Sequence, residues 1–252
     1  MPLLPIIDIF NVRIITFPII LLLAVYACIM VLIKNSRYNF SCKFTVLKSL
    51  LYVLPFALFG GKLLYLITRL GQNTPINFTE MFLGGFVFYG GIIGGAVGLM
   101  IFSTSKKISF LDIDDVFQSI IPLGQAIGRI GCFFNGCCYG IEYSGIFSVK
   151  YPIGDKWIYV FPTWFVEAIV CLILFVVVQK IIATKLKGIS TGIYLIGYAI
   201  VRFTLEFFRG DLIRGIWFGL STSQIISFMC LIIGTIIIVV SMLNKKVNKM
   251  IN

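Results

Sequence analysis

Long apolar runs separated by short clusters of charge dominate this chain. A hydrocarbon core of about 30 Å takes roughly 20 apolar residues as a helix. Runs at 14–33, 49–68, 81–102, 113–138, 160–182, 189–208 and 222–243 therefore predict an all-α integral membrane protein with about seven transmembrane helices. The fourth run differs from the others because Asp114, Asp115, Gln118, Pro122, Gln125, Arg129 and Asn135 interrupt it, together with several glycines. Polar groups survive at membrane depth only where protein or water satisfies them, so this segment is expected to be broken or re-entrant. No internal repeat or dividing linker is visible, and residues 1–252 read as a single polytopic membrane domain. The longest connection, about 139–159, is expected to form a small cap or gate.

Composition agrees with lipid as the solvent. Charged residues make up 12% of the chain, about half the share usual in soluble domains, and the mean hydropathy is +1.03. A net charge of +11 points superficially to nucleic acid. The cations sit instead in short loops beside the apolar runs, as topology signals and headgroup contacts do. Aromatic residues fall inside the runs, so no basic stripe with stacking platforms exists and nucleic acid is excluded as a partner. Twelve loop cations follow the first, third, fifth and seventh runs, against six on the other side (Arg13, Arg69, Lys150, Lys156, Arg209 and Arg214). That bias predicts an outside N-terminus and a cytoplasmic C-terminus. The N-terminus lacks a basic region and a small-residue cleavage site, so no cleaved signal peptide is expected.

Histidine is absent, which removes the usual general base near neutral pH and weakens any metal reading built on imidazole. The seven cysteines are scattered and odd in number, unlike a disulfide framework. Cys132, Cys137 and Cys138 form C-x₄-C-C, which lacks the fourth ligand of a closed zinc site. They are read as small buried hydrophobes, and neither metal nor cofactor is expected.

Ionisable residues inside the runs carry the candidate chemistry. Each costs about 2.5–3.5 kcal/mol near mid-bilayer on insertion scales, so Lys62, Arg129, Glu167, Arg202 and Glu206 need partners or water. A structural ion pair or a snorkelling side chain is the plainer role for each. In the stretch 202–209, RFTLEFFR, the spacing predicts Arg202, Glu206 and Arg209 on one helix face. A carboxylate between two guanidinium groups presets their geometry and leaves donors for a phosphate. In 124–140, GQAIGRIGCFFNGCCYG, five glycines suit bending or close approach, and Arg129 and Asn135 are expected to line the concavity. The stretch 84–98, GGFVFYGGIIGGAVG, offers small-xxx-small spacing at Gly90/Gly94, Gly91/Gly95 and Gly94/Gly98, with Tyr89 its one titratable side chain.

Together these stretches resemble the prolipoprotein diacylglyceryl transferase family. GQAIGRIGCFFNGCCYG is similar to the family's Gly-Arg-x-Gly-Asn-x-x-Asn-Gly-x-x-x-Gly signature. GYAIVRFTLEFFRGD followed by STSQIIS resembles its Arg-Phe-x-x-Glu-Phe-x-Arg segment, and FPTWFVEA resembles His-Pro-Thr-Gln-x-x-Glu-Ala. FVFYGGIIGG falls where the family has an aromatic-His-Gly-Gly element. Tyr89 and Phe161 replace the two motif histidines, Cys132 an asparagine and Trp164 a glutamine. Arg129, Asn135, Gly140, Glu167, Arg202, Glu206 and Arg209 match.

The resemblance implies seven spans in a bacterial cytoplasmic membrane. It also implies transfer of the diacylglyceryl group of phosphatidylglycerol to the lipobox cysteine thiol of a prolipoprotein signal peptide, releasing glycerol phosphate. On that basis Arg129, Arg202 and Tyr89 are the expected catalytic residues. Gly90, Gly91, Gly128, Asn135, Gly140, Glu167, Glu206 and Arg209 are expected to bind substrate. A paralogue with another acceptor, a non-catalytic lipid or signal-peptide binder, and an anion or lipid transporter are the alternatives.

Overall fold

A computed structural model describes residues 6–9, 12–39, 43–70, 87–154, 156–183, 187–210, 216–217 and 220–251. The described chain is mostly helical. Helices α1 (Thr16–Asn39), α2 (Lys43–Leu70) and α3 (Phe88–Lys106) precede the short α4 (Phe110–Gln118) and α5 (Ile121–Asn135). Then come α6 (Thr163–Ile182), α7 (Ile189–Glu206) and α8 (Thr222–Ile251). Among the described residues, four helical segments are long and apolar enough to cross a membrane: Thr16–Ser36, Phe44–Ile67, Thr163–Ile182 and Thr222–Lys245. Their outward faces carry bare hydrocarbon; Leu22, Leu51 and Phe59 are 69%, 75% and 66% exposed. Such surfaces suit acyl chains rather than water.

Two compact units divide the chain, one of residues 35–116 and one of residues 1–34 with 117–252. In the first, α2 packs on α3 through glycine. A Cβ at Gly90, Gly94 or Gly98 would fall on the carbonyl oxygen of Gly60, Phe56 or Tyr52 respectively. The i,i+4 glycine spacing thus brings two backbones into contact, as expected of a close-packing face. On α2, Lys62 places its ammonium 5.1 Å from the Tyr65 ring centroid.

The polar fourth run is two helices rather than one. α4 stops at Gln118 and α5 starts at Ile121, with Pro122 buried in its first turn, where a missing N–H costs nothing. At the break, Gln179 of α6 donates its side-chain N–H to the Ser119 carbonyl at 2.9 Å. α5 ends at Asn135, three residues before the expected boundary, because Gly136 takes the left-handed conformation (φ 77°) that closes a helix C-terminus. The expected third run, 81–102, lies partly outside the described residues; its helix runs from Phe88 to Lys106.

In the second unit, α5 packs on α6, α6 on α7 and α7 on α8. The expected cap is built from hydrogen bonds between backbone segments. Besides the hairpins β1 (Ile6–Ile9)–β2 (Val12–Ile15) and β5 (Ile216–Trp217)–β6 (Leu220–Ser221), strands β3 (Val149–Ile153) and β4 (Lys156–Val160) pair antiparallel. Glu142 bridges Val160 and Gly140 bridges Arg209, which ties this hairpin to the end of α7.

Candidate active site

One face of α7 organises the buried polar groups. Tyr194, Tyr198, Arg202 and Glu206 recur every four residues, so their side chains stack along a single stripe. Ile200, Phe203 and Phe207 point away and are exposed. Each member of the stripe meets a neighbouring helix. Tyr194 donates its hydroxyl to Gln125 Oε1 of α5 at 2.9 Å, and Cys171 of α6 approaches the same oxygen at 3.8 Å. Tyr198 donates to Glu167 Oε1 of α6 at 3.0 Å.

That carboxylate also holds Arg129. Arg129 Nη2 lies 2.9 Å from Glu167 Oε1, with side-chain exposures of 19% and 4%. Glu167 thus joins three helices, accepting from α5 and α7. Gly128 beside it faces open space, since a Cβ there would meet nothing within 4 Å. The guanidinium is therefore fixed on one edge and accessible on another.

Arg202 lies about 6 Å farther along α7 than Tyr198, one helical turn by rise per residue. Its Nη2 is 2.8 Å from Glu206 Oε2 and donates to Ser223 Oγ of α8 at 2.9 Å. Both side chains are nearly sealed, at 5% and 3% exposed. Arg202 Nη1 is buried with no hydrogen-bond partner among the described residues. A buried unpaired donor is costly, and more so on a charged group. Each arginine thus has its own acid, but neither acid uses all five guanidinium donors.

Arg209 departs from the expected shared face. α7 ends at Glu206, and the N–H groups of Phe207, Phe208 and Arg209 bond the carbonyls three residues back, tightening the last turn. Arg209 then bridges Gly140, while Gly210 donates its N–H to the Tyr139 carbonyl at 3.0 Å. Glycine is required at both positions of this crossing. A Cβ on Gly140 would strike the Phe161 carbonyl, and one on Gly210 the Gly140 carbonyl.

The turn after α5 is secured by side-chain donors. Tyr151 donates to the Phe133 carbonyl at 2.7 Å, Trp164 Nε1 to the Cys137 carbonyl at 2.6 Å and Thr163 to the Cys138 carbonyl at 2.8 Å. Tyr151, Val160 and Trp164 form the buried core beneath it, and burial raises the Tyr151 hydroxyl above its ordinary pKa. Phe161 stacks on Phe208 at 5.0 Å, so it packs where the family motif has an imidazole.

The sequence-based candidates therefore fall into separate settings. Arg129, Glu167, Arg202 and Glu206 line the helix bundle of the second unit; Arg209 and Gly140 belong to the backbone crossing above it. Asn135 is exposed and donates its side-chain amide to Cys137 Sγ at 3.9 Å. Gly90 abuts Gly60 and Leu64, and Gly91 is buried. The Tyr89 side chain lies outside the described residues. Sequence reasoning missed Tyr198, Tyr194, Gln125 and Ser223. The four-residue spacing of Tyr194, Tyr198, Arg202 and Glu206 was the available signal for two of them.

Comparison with known proteins adds an independent finding. A family profile described as "Prolipoprotein diacylglyceryl transferase" matches residues 5–240. A phosphatidylglycerol–prolipoprotein diacylglyceryl transferase 2 of Clostridium perfringens is 31% identical over 240 residues, covering 91% of this chain and 92% of its own. A phosphatidylglycerol–prolipoprotein diacylglyceryl transferase of Clostridium tetani is 30% identical over 246 residues, covering 95% and 98%. One from Chlorobaculum tepidum is 31% identical, covering 90% of this chain and 82% of its own.

Proposed function

Because the chain belongs to the prolipoprotein diacylglyceryl transferase family, we propose that it transfers the diacylglyceryl group of phosphatidylglycerol to a prolipoprotein, with the lipobox cysteine thiol as acceptor. It works as a multi-pass protein of a bacterial cytoplasmic membrane, crossing about seven times with the N-terminus outside. The sulfur attacks the glyceryl carbon that bears the phosphate. A C–S bond forms, the C–O bond breaks, and the phosphate leaves as glycerol phosphate while the thiol proton passes to solvent or to the leaving group.

Expelling a phosphate monoester from a saturated carbon is the hard part. Charge grows on the phosphate in the transition state, and fixed cations in a dry site stabilise it strongly. The observation that carries this reading is Arg202, held by Glu206 and Ser223 through one nitrogen, while its other terminal nitrogen is buried and meets no hydrogen-bond partner among the described residues. Arg202 meets the phosphate through Nη1, and Arg129 adds a second cation from α5. Glu167 and Tyr198 hold Arg129 in position, and Glu206 does the same for Arg202.

The nucleophile needs less assistance. A thiol of pKa about 8.5 is already a few per cent ionised at neutral pH. A base could add only about two orders of magnitude through ionisation, so a chain with Tyr89 and Phe161 at the two histidine positions keeps a route to product. The family resemblance of the sequence, and no geometry, assigns Tyr89, Gly90 and Gly91 to contact with the thiol or the lipid. Gly128 leaves room for the lipid at Arg129, and Asn135, Gly140 and Arg209 border its headgroup.

The test is complementation of a cell depleted of its own transferase, read by mass spectrometry of a lipoprotein N-terminus. The chain restores the diacylglyceryl thioether, while Arg129→Ala and Arg202→Ala insert normally and restore none. Near-normal transfer in either variant removes the two-arginine clamp. Signal-peptide or lipid binding without a thioether product would make this chain a non-catalytic relative.

A further inference from the structure

The structure gathers three thiols that the transfer reaction does not use. Sγ of Cys132, Cys137 and Cys138 all lie within 4.8 Å of one another, and each residue is only partly buried. Sequence spacing alone left the trio one ligand short of a zinc site. The folded turn alters that argument by bringing the three sulfurs to one point.

Backbone geometry keeps them there. Cys138 has φ 59°, in the left-handed region that residues with a side chain seldom occupy, two residues after Gly136 at φ 77°. Strain of this kind persists only where the surroundings over-determine it, and it gathers at functional sites. Thr163 and Trp164 supply that constraint by fixing the Cys138 and Cys137 carbonyls. The turn is pre-shaped, and its strained residue bears one of the sulfurs.

We propose that Cys132, Cys137 and Cys138 form a three-thiolate site for a soft, thiophilic metal ion of the copper(I) class. Thiolate ligands select soft ions. With a metal–sulfur bond of about 2.3 Å, as for zinc, a planar three-sulfur site needs sulfurs about 4.0 Å apart. The present sulfurs, within 4.8 Å of one another, need to close only slightly to reach it. A three-coordinate ion requires no fourth ligand, which suits a chain without histidine. Three thiolates around a monovalent cation leave two negative charges. Arg129 interacts electrostatically with Cys132 and Cys138, and Arg209 with Cys138, so cations already stand beside that charge. On binding, each S–H bond breaks, a sulfur–metal bond forms and the proton leaves to water. Nothing in this proposal depends on the transferase reading.

The test uses the full reduced chain in detergent under anaerobic conditions, with copper(I) supplied against a bicinchoninate competitor. The expected result is one equivalent withdrawn by the unaltered chain and by Cys28→Ser and Cys230→Ser. Affinity falls at least tenfold in Cys132→Ser, Cys137→Ser and Cys138→Ser, and X-ray absorption finds three sulfur neighbours. Should a variant fail to fold, alkylation mapping on the unaltered chain still decides, because copper(I) must shield these three thiols and leave Cys230 reactive. No copper retained against the competitor, equal retention after Cys132→Ser, or no shielding of the trio would overturn the proposal.

Discussion

The two arginine–glutamate pairs look alike as distances and differ as structures. Arg202 and Glu206 lie on one helix, four residues apart, and are almost sealed from solvent. Arg129 and Glu167 come from different helices, and the arginine keeps a 19% exposed edge. The first pair is set by helix geometry before any packing occurs. The second exists only once α5 and α6 have docked. This contrast suggests a division of labour: a rigid, dry cation with a spare donor, and a more accessible one whose position also reports the helix packing.

Removing the carboxylates one at a time separates these roles. Glu206→Ala should have the largest effect on folding, because it strands Arg202 in a sealed site. Breaking a buried pair costs about 3–5 kcal/mol, seen as a lower melting temperature in detergent together with loss of transfer. Glu167→Ala should cost less, about 3 kcal/mol at the low end of that range, since Arg129 can turn its exposed edge to water or headgroups. Equal losses in the two variants would erase the distinction. Tyr198→Phe removes one hydrogen bond to an ionised acceptor, about 1.5 kcal/mol, and should lower transfer no more than about tenfold. Ser223→Ala should be mildest, about 1 kcal/mol, because Glu206 still holds the same Arg202 nitrogen. A Ser223→Ala effect larger than that of Tyr198→Phe would mean that α8, rather than Glu206, sets the orientation of Arg202.

How much of this was legible follows from how local each feature is. α1, α6 and α8 announce themselves because 20 or more residues in succession are nearly all apolar. The interruption near Pro122 was readable because its polar residues cannot face lipid. The Arg202–Glu206 pair follows from spacing alone. Glu167 as the partner of Arg129 was hidden, because 38 positions separate them and only helix packing joins them. The end of α7 was hidden for a similar reason. Nothing in FFRGD foretells that Gly210 will cross Gly140, so spacing alone predicts Arg209 on the same helix face as Arg202 and Glu206. The cysteine cluster escaped because the left-handed turn at Cys138 is a tertiary outcome.

The proposed mechanism has Arg202 act on charge that develops as the phosphate leaves. Its most direct test is steady-state transfer kinetics of purified Arg202→Ala against the unaltered chain, with phosphatidylglycerol varied. Losing one such donor typically costs about 10²–10³ in rate, so kcat should fall by at least about 100-fold while KM for the lipid changes little. An unchanged kcat with a raised KM would show that Arg202 merely holds the headgroup, and that contradicts the account.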